Sequence, residues 1–102
     1  MQNELSSIAS FLDGSGRLTQ MPAKYRKKLI VIRYLAEKFE PGREYTEPKV
    51  NFLLEEQTLF HDPATLRRAL CDTALLLRTR DCRRYWRIEN LPSFEEFVNA
   101  NL

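Results

Sequence analysis

Glycine is scarce in this 102-residue sequence: three residues, Gly14, Gly16 and Gly42. None belongs to a run that could wrap a phosphate in backbone N–H groups, which excludes a glycine-rich nucleotide loop. Histidine occurs once, as His61, with no serine or cysteine in a nucleophile motif around it. A loop or capping role beside Asp62 suffices for it, and the chain reads as a non-enzyme. Cysteine occurs twice, as Cys71 and Cys82. With His61 and Asp62 they match four metal ligands in number, but no close cysteine pair is present, so neither a metal nor another cofactor is expected. Long apolar runs are missing as well. Leu29-Ile30-Val31-Ile32 falls far short of the ~20 residues that cross a bilayer. Met1 to Leu12 carries Glu4 and no basic residue, which argues against a signal peptide. These absences predict a cytoplasmic protein with reduced cysteines and no membrane association.

What is present suits one folded domain over residues 1–102. Hydrophobic residues make up 43% and charged residues 29%, far from the composition of a disordered chain. The net charge of +2 says little until it is mapped along the chain. Between Pro63 and Ile88 stand Arg67, Arg68, Arg78, Arg80, Arg83, Arg84 and Arg87 against Asp72 and Asp81, so the remainder of the chain is net acidic. A basic second half of this kind is the electrostatic footprint of a surface that meets phosphate, and equally that of a solvated basic face.

Apolar spacing predicts a short leading helix over residues 4–12 (Leu5, Ile8, Ala9, Phe11, Leu12), stopped by Asp13-Gly14-Ser15-Gly16. A main helix follows from Ala23 to Phe39. Tyr25, Leu29, Ile32, Leu35, Ala36 and Phe39 form its buried face, and Lys24, Lys27, Lys28, Arg33 and Lys38 its solvated one. Glu44-Tyr45 reads as a short strand, Thr46 as the cap of a second helix, and Asp62-Pro63 as the start of a third. The third helix carries a stripe of Leu66, Leu70, Thr73, Ala74 and Leu77. Leu77 to Arg80 and Arg84 to Ile88 then form a hairpin around Asp81-Cys82-Arg83. Of Tyr85 and Trp86, which point to opposite strand faces, Trp86 is expected to close the core. Ser93 and Glu96 make a capping box for a final helix over 93–100. The expected class is therefore α+β, winged helix-turn-helix-like: a three-helix core, a two-stranded β-hairpin wing and short terminal helices.

Residues Arg17-Leu18, Pro22-Ala23, Phe39, Tyr45-Thr46-Glu47, Val50-Asn51, Asp62, Thr65-Leu66-Arg67-Arg68 and Tyr85-Trp86-Arg87 together resemble the bacterial DUF2087 family. The resemblance spans a core of about residues 16–88. It implies a small domain that stands alone or is attached to transcriptional regulators. Two residues depart from the family pattern: Pro48, where a charged helix former is expected, and Cys82, in a turn where glycine is more usual.

On this reading the function is that of a DNA-binding transcriptional regulator or accessory domain. The third helix would enter the major groove, with Thr65, Arg67 and Arg68 near its N-terminus, and Arg78, Arg80, Arg83 and Arg84 would hold phosphates from the wing. Plainer readings stand beside it: an Arg68–Asp72 surface ion pair, arginines that bridge helices, and a wing whose charges only protect strand edges. An exposed aromatic beside the arginines would instead suit a base of single-stranded RNA or DNA. Double-stranded DNA is the expected partner. Phe11, Leu12, Phe94 and Phe97 of the terminal helices are the expected surface of a homodimer, or else complete a monomeric core. The alternative function is a protein-interaction or effector-sensing module that does not touch DNA.

Overall fold

Eight consecutive residues, Leu29 to Ala36, are buried and run to the C-terminal end of α1 (Tyr25–Ala36). The structure is a computed structural model that describes residues 4–102; the expectations for residues 1–3 lie outside the described residues. A helix buried on all sides belongs to the centre of a core rather than its edge. A 3₁₀ helix over Glu4–Phe11, α3 (Pro63–Asp72) and α4 (Phe94–Asn101) all pack on it. The main helix is thus shorter than its apolar stripe: Phe39 is buried beyond its end, and Tyr25 is exposed, donating its hydroxyl to Asn101 O at 3.2 Å.

Arg33 is the main correction on α1. Expected on the solvated face, it is buried because α4 and the segment leading to it cover that face. Its Nε donates to Pro92 O at 2.6 Å and its Nη1 to Glu37 Oε2 at 2.8 Å, while the guanidinium lies 4.6 Å over the Phe94 ring. A buried cation is tolerable only with this kind of full complement of partners.

The caps fall where the sequence puts them. Thr46 Oγ1 accepts from Lys49 N at the start of α2 (Glu47–Glu56), and Asp62 Oδ1 accepts from Thr65 N at the start of α3. Ser93 and Glu96 form the reciprocal box at α4. Pro48 sits in the first turn of α2, where no backbone donor is needed, so its departure from the family pattern does not disturb the helix. The leading helix is 3₁₀ rather than α, consistent with a single short segment closed by the Asp13 turn.

The third helix ends earlier than its stripe suggests. Ala74 takes φ +63°, Leu75 N donates to Leu70 O and Ala74 N to Cys71 O, each at 3.0 Å. This is a Schellman ending with alanine in the left-handed position that glycine usually fills. Beyond it, Leu77 is an exposed strand residue and not part of the α3 stripe.

Three strands form one antiparallel sheet in the order β1-β3-β2: β1 (Glu44–Tyr45), β2 (Leu76–Arg78) and β3 (Tyr85–Arg87). The expected two-stranded hairpin is therefore joined by β1 along its β3 edge, with Tyr45 opposite Tyr85 and Glu44 opposite Trp86. Tyr85, not Trp86, closes the core: it is 2% exposed, whereas Trp86 is half-buried on the outer face with Glu44 and Leu77. The inward register follows Tyr45, which packs edge-on against Phe39. The class is α+β: helices with a small three-stranded antiparallel sheet.

Phe97 is buried in the chain's own core, and Phe11, Leu12 and Phe94 pack against that core. The terminal helices complete the monomer's interior. No helix among the described residues is long and apolar enough to cross a membrane.

Candidate nucleic-acid interface

Arg67 and Arg68 are chain neighbours with opposite environments, because successive helical positions turn by about 100°. Arg67 faces α2. Its Nη1 donates to Asn51 Oδ1 and its Nη2 lies 3.6 Å from Glu47 Oε2, with 17% of the side chain exposed. Glu47 Oε1 also accepts from the Tyr85 hydroxyl at 3.2 Å. Burial and that bond to Glu47 push the Tyr85 hydroxyl up to about 12, so it stays a protonated donor at neutral pH. Arg67 thus bridges α2, α3 and, through Glu47, the sheet.

Arg68 lies on the exposed face of α3 with Thr65 and Asp72. The ion pair between Arg68 and Asp72 is not formed, and among the described residues nothing pairs with Arg68. Ala64, Thr65 and Arg68 make an exposed strip at the N-terminal end of α3, where backbone dipoles favour negative charge.

The hairpin turn is held by Thr79 and Asp81. Thr79 N donates to Arg84 O and Cys82 N to Thr79 O, each at 3.0 Å; the Thr79 hydroxyl donates to Asp81 Oδ1 at 2.6 Å. Arg83 N donates to both Thr79 Oγ1 and Asp81 Oδ1. The Thr79 hydroxyl and the Arg83 N–H hold the Asp81 carboxyl below its usual range. Cys82 takes φ +62° at this tip, so the conformation that glycine would supply is adopted by a cysteine.

Around this turn the basic side chains are exposed. Arg83 and Arg84 meet Asp81 and Glu44 only at 3.8 and 3.5 Å, and more than half of each arginine side chain is exposed. Such exposed surface pairs contribute little. Arg78 Nη1 donates to Thr79 O and to Cys82 Sγ, both at 3.2 Å, leaving its other nitrogens open. Nothing among the described residues pairs with Arg80.

Between α3 and the hairpin lies an open cleft of about 650 Å³. Arg67, Arg68, Arg78 and Arg80 line it with Glu47 and Asp72, and Cys71, Leu76, Cys82 and Tyr85 form its less polar lining. Both cysteines are free thiols, half-buried. Burial pushes the Cys71 thiol up, with Arg78 and Arg67 pulling the other way. His61 lies elsewhere, exposed, with Nδ1 2.7 Å from Glu55 Oε1. Among the described residues no three His, Cys, Asp or Glu side chains converge as metal ligands.

Six of the seven residues expected at the interface, Thr65, Arg68, Arg78, Arg80, Arg83 and Arg84, are at the surface of α3 and the hairpin; Arg67 is drawn inward. Sequence reasoning missed the cleft itself, and with it Glu47, Cys71, Cys82 and Tyr85. The signal available was the spacing of Glu47 and Asn51, one turn apart on α2, which presents two acceptors to one guanidinium. No curated protein and no solved structure matches this chain. The model of the family described as an uncharacterized protein conserved in bacteria, DUF2087, matches residues 17–87, most of the chain, and the chain belongs to that family.

Proposed function

We propose that this domain is a winged helix that binds double-stranded DNA as a transcriptional regulator or its accessory domain. The element order α1, β1, α2, α3, β2, β3 and the sheet order β1-β3-β2 support the winged-helix reading. The observation that carries the function is the grouping of weakly held arginines: Arg68 on the exposed face of α3, and Arg80, Arg83 and Arg84 at the hairpin tip beside it. In this reading Thr65 and Arg68 approach base edges in the major groove, and the hairpin arginines take backbone phosphates. Arg67 holds α3 at its angle to α2 and does not enter the groove.

Fluorescence anisotropy on random duplex DNA at two salt concentrations tests this. Native protein is expected to bind with steep salt dependence, and Arg83→Ala/Arg84→Ala to flatten the log–log slope by about 0.9 for each phosphate that is no longer neutralised. No binding at low salt overturns the reading. One observation favours the protein-interaction alternative: Phe52 of α2 is 64% exposed beside Tyr45, Pro48 and Leu53 in a second cleft. Binding there would respond little to salt and would be abolished in Phe52→Ala.

A further inference from the structure

The cleft between α3 and the hairpin has a feature that a groove-reading surface does not need: an apolar floor. Leu76 and Tyr85 close its base, and Cys71, Leu77 and Cys82 bring partly exposed apolar surface to its lining, so a ligand that enters can bury an apolar body as well as meet charge. Four guanidiniums against the Glu47 and Asp72 carboxylates leave an excess of two positive charges in about 650 Å³, and Glu47 is already engaged by Arg67 and the Tyr85 hydroxyl. Arg68 on one wall and Arg80 on the other have no partner among the described residues. Like charges gathered in this way repel one another until an anion joins them. A phosphomonoester carries about −1.5 to −2 charge and three acceptor oxygens, which matches that excess. Arginine forks bind such oxygens in pairs and stack on flat rings, and the cleft is within the usual size range of small-molecule sites.

We propose that this cleft binds a small phosphorylated organic molecule of nucleoside monophosphate size, with Arg68, Arg78 and Arg80 on the phosphoryl group and the ring against Leu76 and Tyr85. The site shares its rim with the proposed DNA face, so an occupied cleft and a bound duplex compete for Arg68 and Arg80. Its existence does not rest on the DNA reading, because the ligand is bound by the cleft whether or not the rim meets a duplex.

Cys71 and Cys82, the only two cysteines in the chain, both line the cleft and report its occupancy. The experiment follows their alkylation by N-ethylmaleimide, peptide by peptide in mass spectrometry, with no nucleic acid present. Adenosine 5′-monophosphate is the probe; adenosine, inorganic phosphate and sodium chloride at matched ionic strength are the comparisons. At a concentration a few times its dissociation constant, the nucleotide is expected to slow labelling by about threefold or more, by mass action. The comparisons should leave the rate near that of protein alone. Protection is expected to vanish in Arg68→Ala/Arg80→Ala, whose arginines touch neither thiol, and to persist in Arg83→Ala/Arg84→Ala. Protection by the nucleotide no greater than by salt, or equal protection by inorganic phosphate, overturns the proposal, as does protection that survives Arg68→Ala/Arg80→Ala. Protection without duplex binding would sink the DNA reading alone; duplex binding without protection would sink this one alone.

Discussion

The α1–α4 side of the molecule and the α3–hairpin side are both built with arginine, and they use it in opposite ways. On the first side Arg33 is buried, its donors directed at Pro92 O and Glu37 and its guanidinium over the Phe94 ring. On the second, Arg68 and Arg80 lack partners among the described residues, and Arg83 and Arg84 reach acids only at long range. Both non-glycine residues at positive φ among the described residues, Ala74 and Cys82, are also on the second side. On the first side a guanidinium is held by partners from two elements; on the second, exposed arginines and left-handed backbone occur together.

Four substitutions sharpen or break that contrast. Arg33→Ala removes a buried charge-assisted bond and a ring contact, and is expected to cost about 3 kcal/mol in urea denaturation. A destabilisation no larger than that of a surface residue would erase the distinction. Next come the chain neighbours: Arg67→Ala is expected to cost about 1–2 kcal/mol because it strands Asn51 and Glu47, while Arg68→Ala stays within about 0.5 kcal/mol. Equal costs for the two would show that the inward and outward arginines do not differ. Opposite in sign, Ala74→Gly is expected to stabilise the protein by about 0.5–1 kcal/mol in urea denaturation, since glycine reaches the left-handed region without a Cβ penalty.

The helix starts were legible because each is written in a single residue: Thr46, Asp62 and Ser93 announce their caps by type and spacing. The end of α3 was not, because the usual mark of a left-handed ending, glycine, is replaced by Ala74, and the apolar stripe continues past it to Leu77. Arg33 was misplaced for a different reason. Periodicity assigns a face to water, but the face is covered by α4, which arrives some sixty residues later and leaves no local trace. The exchange of Tyr85 for Trp86 in the core has the same origin: strand alternation requires one of them to turn inward, and the pairing with Tyr45 selects Tyr85. At the candidate site, charge alone gave the exposed arginines. The cleft needed the third dimension, because its lining comes from α2, α3 and both hairpin strands at once.

The pairing of β1 with β3 also bears on how the chain reaches this structure. Glu44 meets Trp86 and Tyr45 meets Tyr85 across an excursion of roughly forty residues that contains all of α2 and α3, and closing so long a loop costs entropy before the pairing returns anything. Hairpin pairing between β2 and β3 is local by comparison, but the strand that completes the sheet belongs to the segment leading into α2. The hairpin therefore gains its third strand only as α2 and α3 pack on each other, so the final position of the hairpin is fixed by the same folding event that sets those two helices.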